Sequence, residues 1–278
     1  MGKSNNSKSR IRIAEIFSLP ALQYCDKARK MSSPYSNFSL STYWRSSSSW
    51  RVRTALAAKG ITYDSIPVHL VKGEQKSEEN LKVNHMAQVP TLHFTHKGKQ
   101  VSLSQSLAII DFLESAFPDV EGSLYPKDAL DKANALEIAE IINSGTQPLQ
   151  NFGVMKKITA ELGDKAAEAG ITMTGRTWAK DFIIVGLTAV ERVVSRLNEG
   201  NSADEFYAVG GDHPTVADAC IVPQLYNGRR FEVDLETVCP TLLKVEKMCQ
   251  KNEWFIQSHP DAQVDAVVAE PAAKKAKA

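Results

Sequence analysis

The pattern of apolar and polar positions changes character once along the chain. Up to about residue 118, short strand-like runs alternate with helical ones; from Lys127 onward only helical periodicity is found. In the first stretch Phe38–Trp44 predicts a strand, and the cluster Ser46-Ser47-Ser48-Ser49 separates it from a helix over Trp50–Lys59. Val52, Ala55, Leu56 and Lys59 carry the helical spacing there, and Gly60 is a natural stop. Ile61–Leu70 predicts a second strand, Ser77–Val83 a short helix, Val89–Phe94 a third strand and Val101–Leu103 a fourth. His96-Lys97-Gly98-Lys99 is the turn joining the last two. Ser104 is placed to cap a helix ending at Phe117, before Pro118. The predicted order is β-α-β-α-β-β-α. Its first crossover implies parallel pairing, its last hairpin antiparallel pairing. In the second half Thr177–Leu197 predicts a long amphipathic helix, and Thr215-Val216-Ala217-Asp218 reads as a capping-box start with Asp218 at the place of the usual Glu.

The fold class is therefore α/β followed by all-α, and a chain of 278 residues accommodates two such domains. Charge refines the boundaries. Residues 1–36 hold seven Lys/Arg against two acidic residues, so the remainder carries −4 of the net +1. Four segments follow: a basic, Ser-rich, disordered leader over 1–36, a first domain over 37–120, a helical domain over 121–262 and a flexible tail over 263–278. The leader lacks the apolar core of a secretory signal. Its basic, Ser-rich composition partly fits a transit peptide, which Glu15 and Asp26 weaken, so a cytoplasmic location is expected with a mitochondrial one as the alternative. The near-neutral charge argues against a nucleic-acid partner, and no apolar run approaches the ~20 residues that span a bilayer, so no membrane partner is expected. Four cysteines without a Cys-x-x-Cys pair fit a reducing compartment better than a disulfide scaffold or zinc cage.

Several chemical motifs are missing, among them Gly-x-Gly-x-x-Gly, the phosphate-cradling P-loop, His-Glu-x-x-His and Gly-x-Ser-x-Gly. His93 and His96 lie on a hairpin without Cys or carboxylate partners, so they read as surface histidines and no metal site is expected. Cys239 and Cys249 read as packing residues. What remains is the serine cluster, because the start of a helix presents unpaired N–H groups that favour anions and thiolates. Capping by Ser48 or Ser49 accounts for one serine but not for four, nor for Arg45 beside them. Ser104-Gln105-Ser106 is a second such start, though an ordinary cap explains it equally well. Val89-Pro90 is either a cis bond exposing backbone to a peptide-like ligand or, more commonly, an ordinary trans bond. Together these features outline a cleft for a small peptide acid carrying a thiol.

Tyr43-Trp44-Arg45-Ser46-Ser47-Ser48-Ser49-Trp50-Arg51-Val52-Arg53 resembles the signature of the zeta-class glutathione transferases, the maleylacetoacetate isomerases. Gln88-Val89-Pro90-Thr91, Gln105-Ser106-Leu107-Ala108-Ile109-Ile110, Gln147-Pro148-Leu149-Gln150-Asn151 and the stretch from Val222 to Leu235 are similar to the family as well. The resemblance covers about residues 38–260. It implies a thioredoxin-like domain followed by a helical one, a homodimer, and glutathione as cofactor. It places Ser46, Ser47, Ser48, Ser49, Trp50 and Arg51 around the sulfur, with Ser46 and Ser47 catalytic. Gln75 would reach the glycyl end, and Val89, before a cis Pro90, would pair with the cysteinyl backbone. Gln105 and Ser106 would hold the γ-glutamyl carboxylate, while Gln147, Asn151, Phe152 and Gly153 would close the site. Arg45 and Arg230 would hold a diacid substrate. Where the family carries cysteine this chain has Ser48, so a protein thiol there is ruled out.

The implied reaction is a cis–trans isomerisation of maleylacetoacetate to fumarylacetoacetate in phenylalanine and tyrosine catabolism. Adding a thiolate to the alkene makes the double bond single, rotation follows, and elimination restores the alkene in trans form. Two rivals share the cleft: a transferase that conjugates or dehalogenates small α-halo acids, and an inactive binding or scaffold protein. Retention of Ser46, Ser47, Gln105, Ser106 and Arg230 argues against the scaffold.

Overall fold

The computed structural model describes residues 33–120 and 122–267. The leader expected over 1–36 and its targeting role lie outside the described residues, apart from its last few positions, of which Tyr35 and Ser36 already belong to the first strand. Strand β1 (Tyr35–Thr42) runs parallel to β2 (Asp64–Pro67) and antiparallel to β3 (Thr91–His96), which pairs antiparallel with β4 (Lys99–Ser104). The sheet order is β2-β1-β3-β4, with Leu40 opposite Ser65 on one side and Leu92 on the other. Helix α1 (Ser47–Ala58) is the crossover that parallel pairing requires. It lies beside α3 (Ser106–Ala116), and Val52, Leu56, Ile109, Ile110 and Leu113 bury against Leu40, Leu92 and Phe94. The short α2 (Glu78–Val83) is capped by Ser77.

Helix starts and strand ends differ from the sequence expectation for physical reasons. β2 is shorter than Ile61–Leu70 because it is an edge strand whose pairing stops with β1, although Ile61 and Tyr63 still pack on the core. Hydrophobic alternation reports burial; strand assignment needs a partner. The cap of α1 is Ser46, not Ser48 or Ser49: its backbone is extended and its Oγ accepts from the Ser49 N–H at 3.1 Å. Ser104 does not cap α3, because it is paired with Thr91 in the sheet; Gln105 takes that position.

The helical domain comprises α4 (Ala129–Asn143), α5 (Phe152–Glu168), α6 (Gly175–Leu197), α7 (Val216–Arg230), α8 (Leu235–Val238), α9 (Pro240–Cys249) and α10 (Glu253–Ser258). A capping box from Thr174 to Thr177 starts α6, and the expected Thr215–Asp218 box starts α7. Val185, within the helix expected over Thr177–Leu197, faces solvent. Helix α7 is buried for most of its length and packs against α4, α6 and α1. Gly186 lets α6 approach the turn after α4: a Cβ there would lie 2.0 Å from Thr146 Oγ1. α10 folds back onto α1, where Trp50 Nε1 donates to Ser258 Oγ at 2.9 Å. The segment after α10 is held as far as Ala266, whose N–H reaches the Gln263 carbonyl at 3.0 Å. Gln263 donates to the Gln257 and His259 carbonyls, and Asp265 accepts from the Trp44 N–H. Gln263 and Asp265, within the tail expected from 263, are thus bonded to the body, and residues 268–278 lie outside the described residues.

Candidate active site

The serine loop joins β1 to α1. The Ser46 N–H closes a turn onto the Tyr43 carbonyl at 2.9 Å, and the Trp50 N–H reaches the Ser46 carbonyl at 2.9 Å. Helix geometry leaves the first N–H groups of α1, those of Ser47 and Ser48, without intrahelical acceptors. Ser46 Oγ uses a lone pair as cap, so its hydroxyl proton stays free to donate outward. Ser47 is buried, Ser48 half-buried, and Ser49 Oγ is fully buried without a partner among the described residues. Trp50 and Arg51, expected around the sulfur, are sealed from solvent. Trp50 fills the contact with α10, and Arg51 Nη1 donates to Ser106 Oγ at 3.2 Å and to Asn143 Oδ1 at 2.8 Å.

That guanidinium links the two anion-ready helix starts, those of α1 and α3. Gln105, at the second, is exposed and holds φ 74° without any side-chain cap bond. A non-glycine residue in such a conformation costs on the order of 1–3 kcal/mol, and such strain gathers at functional sites. No side-chain cap closes this helix end among the described residues, the kind of N-terminus that favours an anion.

Gln75 Oε1 is buried without a partner among the described residues, an acceptor left for a ligand N–H. The Val89–Pro90 bond is cis. Buried Asn84 donates to the Gln88 carbonyl at 3.0 Å and Thr91 Oγ1 at 3.1 Å, holding that turn in place. In the helical domain Gln147 lies half-buried between α4 and α5. Asn151 caps α5 through the Gly153 N–H at 2.9 Å, which occupies both groups, whereas Phe152 remains exposed. The stretch is anchored from behind by a reciprocal amide pair, Gln150 with Gln224, and by Trp178 Nε1 on the Leu149 carbonyl. Phe152, Met155, Lys156 and Arg176 line a groove of about 440 Å³.

Arg176, at its edge, leads to a group of three arginines with Arg230 and Arg45. Arg176 donates to the Arg230 carbonyl at 2.7 Å and pairs with Glu232. Burial first, then the neighbouring charge of Arg45, lowers the Arg230 pKa. Arg45 itself stacks on Trp44 at 4.1 Å. Like charges held together store a repulsion that a bound anion relieves. Thiol chemistry from the chain is not available among the described residues. Cys220, Cys239 and Cys249 are buried, and burial pushes their thiols up, that of Cys239 to about 12. His93 is not a surface residue: it lies half-buried between Ser41 and Ser102 hydroxyls, and burial lowers its pKa. No cluster of metal-ligating residues occurs among the described residues. Asn84, Asn143, Arg53 and Arg176 carry much of this geometry without having been singled out in the sequence. Arg53 stands in the signature, but its role depends on partners some 200 positions away.

Comparison with known proteins places this architecture. Residues 45–116 match the family described as "Glutathione S-transferase, N-terminal domain". Maleylacetoacetate isomerase of Rattus norvegicus is 39% identical over 228 residues, 81% of this chain and 94% of that protein. A crystal structure of maleylacetoacetate isomerase from Anaeromyxobacter dehalogenans 2CP-1, with glutathione bound in the active site, is 38% identical with a TM-score of 0.70. It covers 84% of this chain and 100% of its own. A second structure of that enzyme, with dicarboxyethyl glutathione and citrate in the active site, is 38% identical with a TM-score of 0.69, covering 85% and 100%. Fold and cleft are thus those of a glutathione transferase. Within that superfamily the chain belongs to the zeta class, the maleylacetoacetate isomerases.

Proposed function

We propose that the chain is a glutathione-dependent cis–trans isomerase converting maleylacetoacetate to fumarylacetoacetate. The observation that carries this is the pairing of two open helix starts, bridged by Arg51 and Ser106, with the arginine-rich edge formed by Arg45, Arg176 and Arg230. A tripeptide with carboxylates and a thiol suits the former, a diacid the latter. The cleft fits glutathione on its own terms: Gln75 Oε1, on a half-buried side chain, is an acceptor without a partner among the described residues. When bound, glutathione supplies the thiol that adds to the alkene and later leaves it.

The chain's own part is electrostatic. Ser46 donates its hydroxyl proton toward the sulfur, Ser47 sits at the same helix start, and the α1 N-terminus adds its partial positive charge. Each unit by which the thiol pKa falls is worth ~1.4 kcal/mol of thiolate stabilisation. Gln105 and Ser106 orient the γ-glutamyl carboxylate at the α3 N-terminus, and Arg51 fixes the Ser106 hydroxyl from behind. Arg230, with Arg45, grips substrate carboxylate, for which the planar guanidinium offers two parallel hydrogen bonds.

The decisive assay is isomerisation of a maleyl-keto acid with substoichiometric glutathione. Many turnovers per glutathione support the isomerase; stoichiometric consumption would instead favour conjugation of small electrophiles. The assembly we expect is a homodimer in the cytoplasm, and light scattering at the mass of a single chain would refute the dimer. No helix among the described residues is long and apolar enough to cross a membrane. A mitochondrial destination stands or falls with import of a reporter fused to residues 1–37.

A further inference from the structure

Two charged groups lie behind the serine loop. Arg53 is 1% exposed, and its guanidinium is spent on the loop and its neighbours. Nη2 donates to the Trp44 carbonyl at 3.2 Å, Nη1 to the Tyr43 carbonyl at 3.4 Å and Thr42 Oγ1 at 3.1 Å, and Nε to the Ser258 carbonyl at 3.1 Å. From the other end of the chain, Asp265 Oδ2 accepts from the Trp44 N–H at 3.0 Å. Its second oxygen is buried without a partner among the described residues. The Trp44 residue is therefore held at both its N–H and its carbonyl. The Tyr43 carbonyl, gripped by Arg53, is the acceptor of the turn that delivers the Ser46 N–H. Burial lowers the Arg53 pKa to about 10, with the charges of Tyr63 and then Asp265 acting in the opposite direction.

We infer that Asp265, brought back from beyond the last helix, is a positioning residue: together with Arg53 it clamps the Trp44 peptide and so sets the direction in which the Ser46 and Ser47 hydroxyls point. What the loop needs from this side chain is a buried acceptor: Asp265 Oδ2 holds the Trp44 N–H from one side while Arg53 holds the Trp44 carbonyl from the other. The clamp also makes the first domain's chemistry depend on the end of the second. This deepens the isomerase reading and rests on it. The loop lies adjacent to the proposed thiolate, so a displacement well under 1 Å is felt in turnover, given that ~1 Å can cost 10²-fold.

The test compares Asp265→Ala and Asp265→Asn with the wild type in the full chain. Readouts are hydrogen–deuterium exchange over 43–48 without ligand, the thiol pKa of bound glutathione, and kcat against KM in isomerisation. Asp265→Ala should speed exchange over 43–48, raise the bound thiol pKa by about half a unit and lower kcat about tenfold with little change in KM for glutathione. Asp265→Asn keeps an acceptor of the same shape and should recover exchange protection and most of kcat. A variant that only melts earlier, with exchange over 43–48, thiol pKa and kcat at wild-type values, would overturn the clamp, as would failure of asparagine to rescue. An inactive wild type would sink the isomerase reading and the positioning role with it, whereas an active wild type with an unresponsive Asp265→Ala sinks the positioning role alone.

Discussion

Ser46→Ala removes two things at once, and the structure allows them to be separated. Ser46 Oγ is the N-cap acceptor for the Ser49 N–H, and loss of a serine cap to alanine costs ~1 kcal/mol, within a range of 0.5–2. For a chain of this size that is a fall in Tm of about 2–4 °C. The hydroxyl proton is not used by the cap, and under the isomerase reading it stabilises the thiolate. Losing one donor to a developing anion costs up to ~10²–10³ in rate, with the lower end expected where α1 N–H groups share the load. Ser46→Gly separates the two effects, because glycine at an N-cap costs only a few tenths of a kcal/mol and carries no side-chain donor. Ser46→Thr keeps both. The expected pattern is a clearly lowered Tm in Ala only, and lowered kcat with a raised thiol pKa of bound glutathione in both Ala and Gly. Calorimetry, thiolate absorbance and steady-state isomerisation measure the three quantities. If Gly restores kcat along with Tm, Ser46 acts on the rate through the helix cap alone, and the hydroxyl's catalytic role is refuted.

Other substitutions test neighbouring parts of the argument. Arg230→Ala should raise KM for the diacid, by roughly 2–5 kcal/mol if a desolvated charge pair is broken, with glutathione affinity intact; an unchanged KM would return Arg230 to a structural role. Arg229→Ala, next in sequence, should act on stability instead, since both of its terminal nitrogens grip buried Glu246, and about 1–3 kcal/mol is expected with the arginine half exposed. Gly186→Ala should cost about 1–3 kcal/mol by forcing apart α6 and Thr146, whose hydroxyl is already committed to the Ile141 carbonyl; a neutral Tm would show that the turn can yield. Burial holds the His93 pKa below its ordinary value, so its contribution to stability is present above that value and is lost as pH falls through the lower, folded one. His93→Gln should therefore flatten the fall in Tm between about pH 7 and pH 5, and an unchanged slope would place that acid sensitivity elsewhere.

The features legible in the sequence were those whose cause is local. The βα crossover, the hairpin, the Thr215–Asp218 box and the existence of an anion-ready start at the serine cluster all follow from neighbours within a few positions. Which serine caps α1 was not legible, because four consecutive serines offer equal chemistry and the choice is made by the turn onto Tyr43 and the burial of Trp50. Ser104 failed as a cap for a related reason: a hydroxyl at a strand end can serve the sheet or the helix, and pairing with Thr91 decided it.

The arginines of the signature show where local reasoning stops. Arg51 and Arg53 lie two and four positions after Ser49, and an arginine beside an anion site reads as a ligand contact. That inference assumes an outward face, and α1 has almost none: α3, α7 and α10 pack around it, and of Ser49 to Leu56 every residue is buried. A charged side chain survives there only if its partners are supplied from distant elements. Asn143 and Ser106 do this for Arg51, and the Ser258, Tyr43 and Trp44 carbonyls do it for Arg53. Arg51 still leaves Nε and Nη2 unpaired among the described residues, a cost that packing alone gives no reason to retain. Its one bond into the first domain's ligand-facing edge is to Ser106. Replacing Arg51 with methionine should therefore leave the α1 contacts largely filled while freeing the Ser106 hydroxyl. Weaker glutathione binding at a nearly unchanged Tm would identify the guanidinium as a part of the binding site that acts from inside the protein, and a large loss of Tm at unchanged affinity would make it a structural bolt.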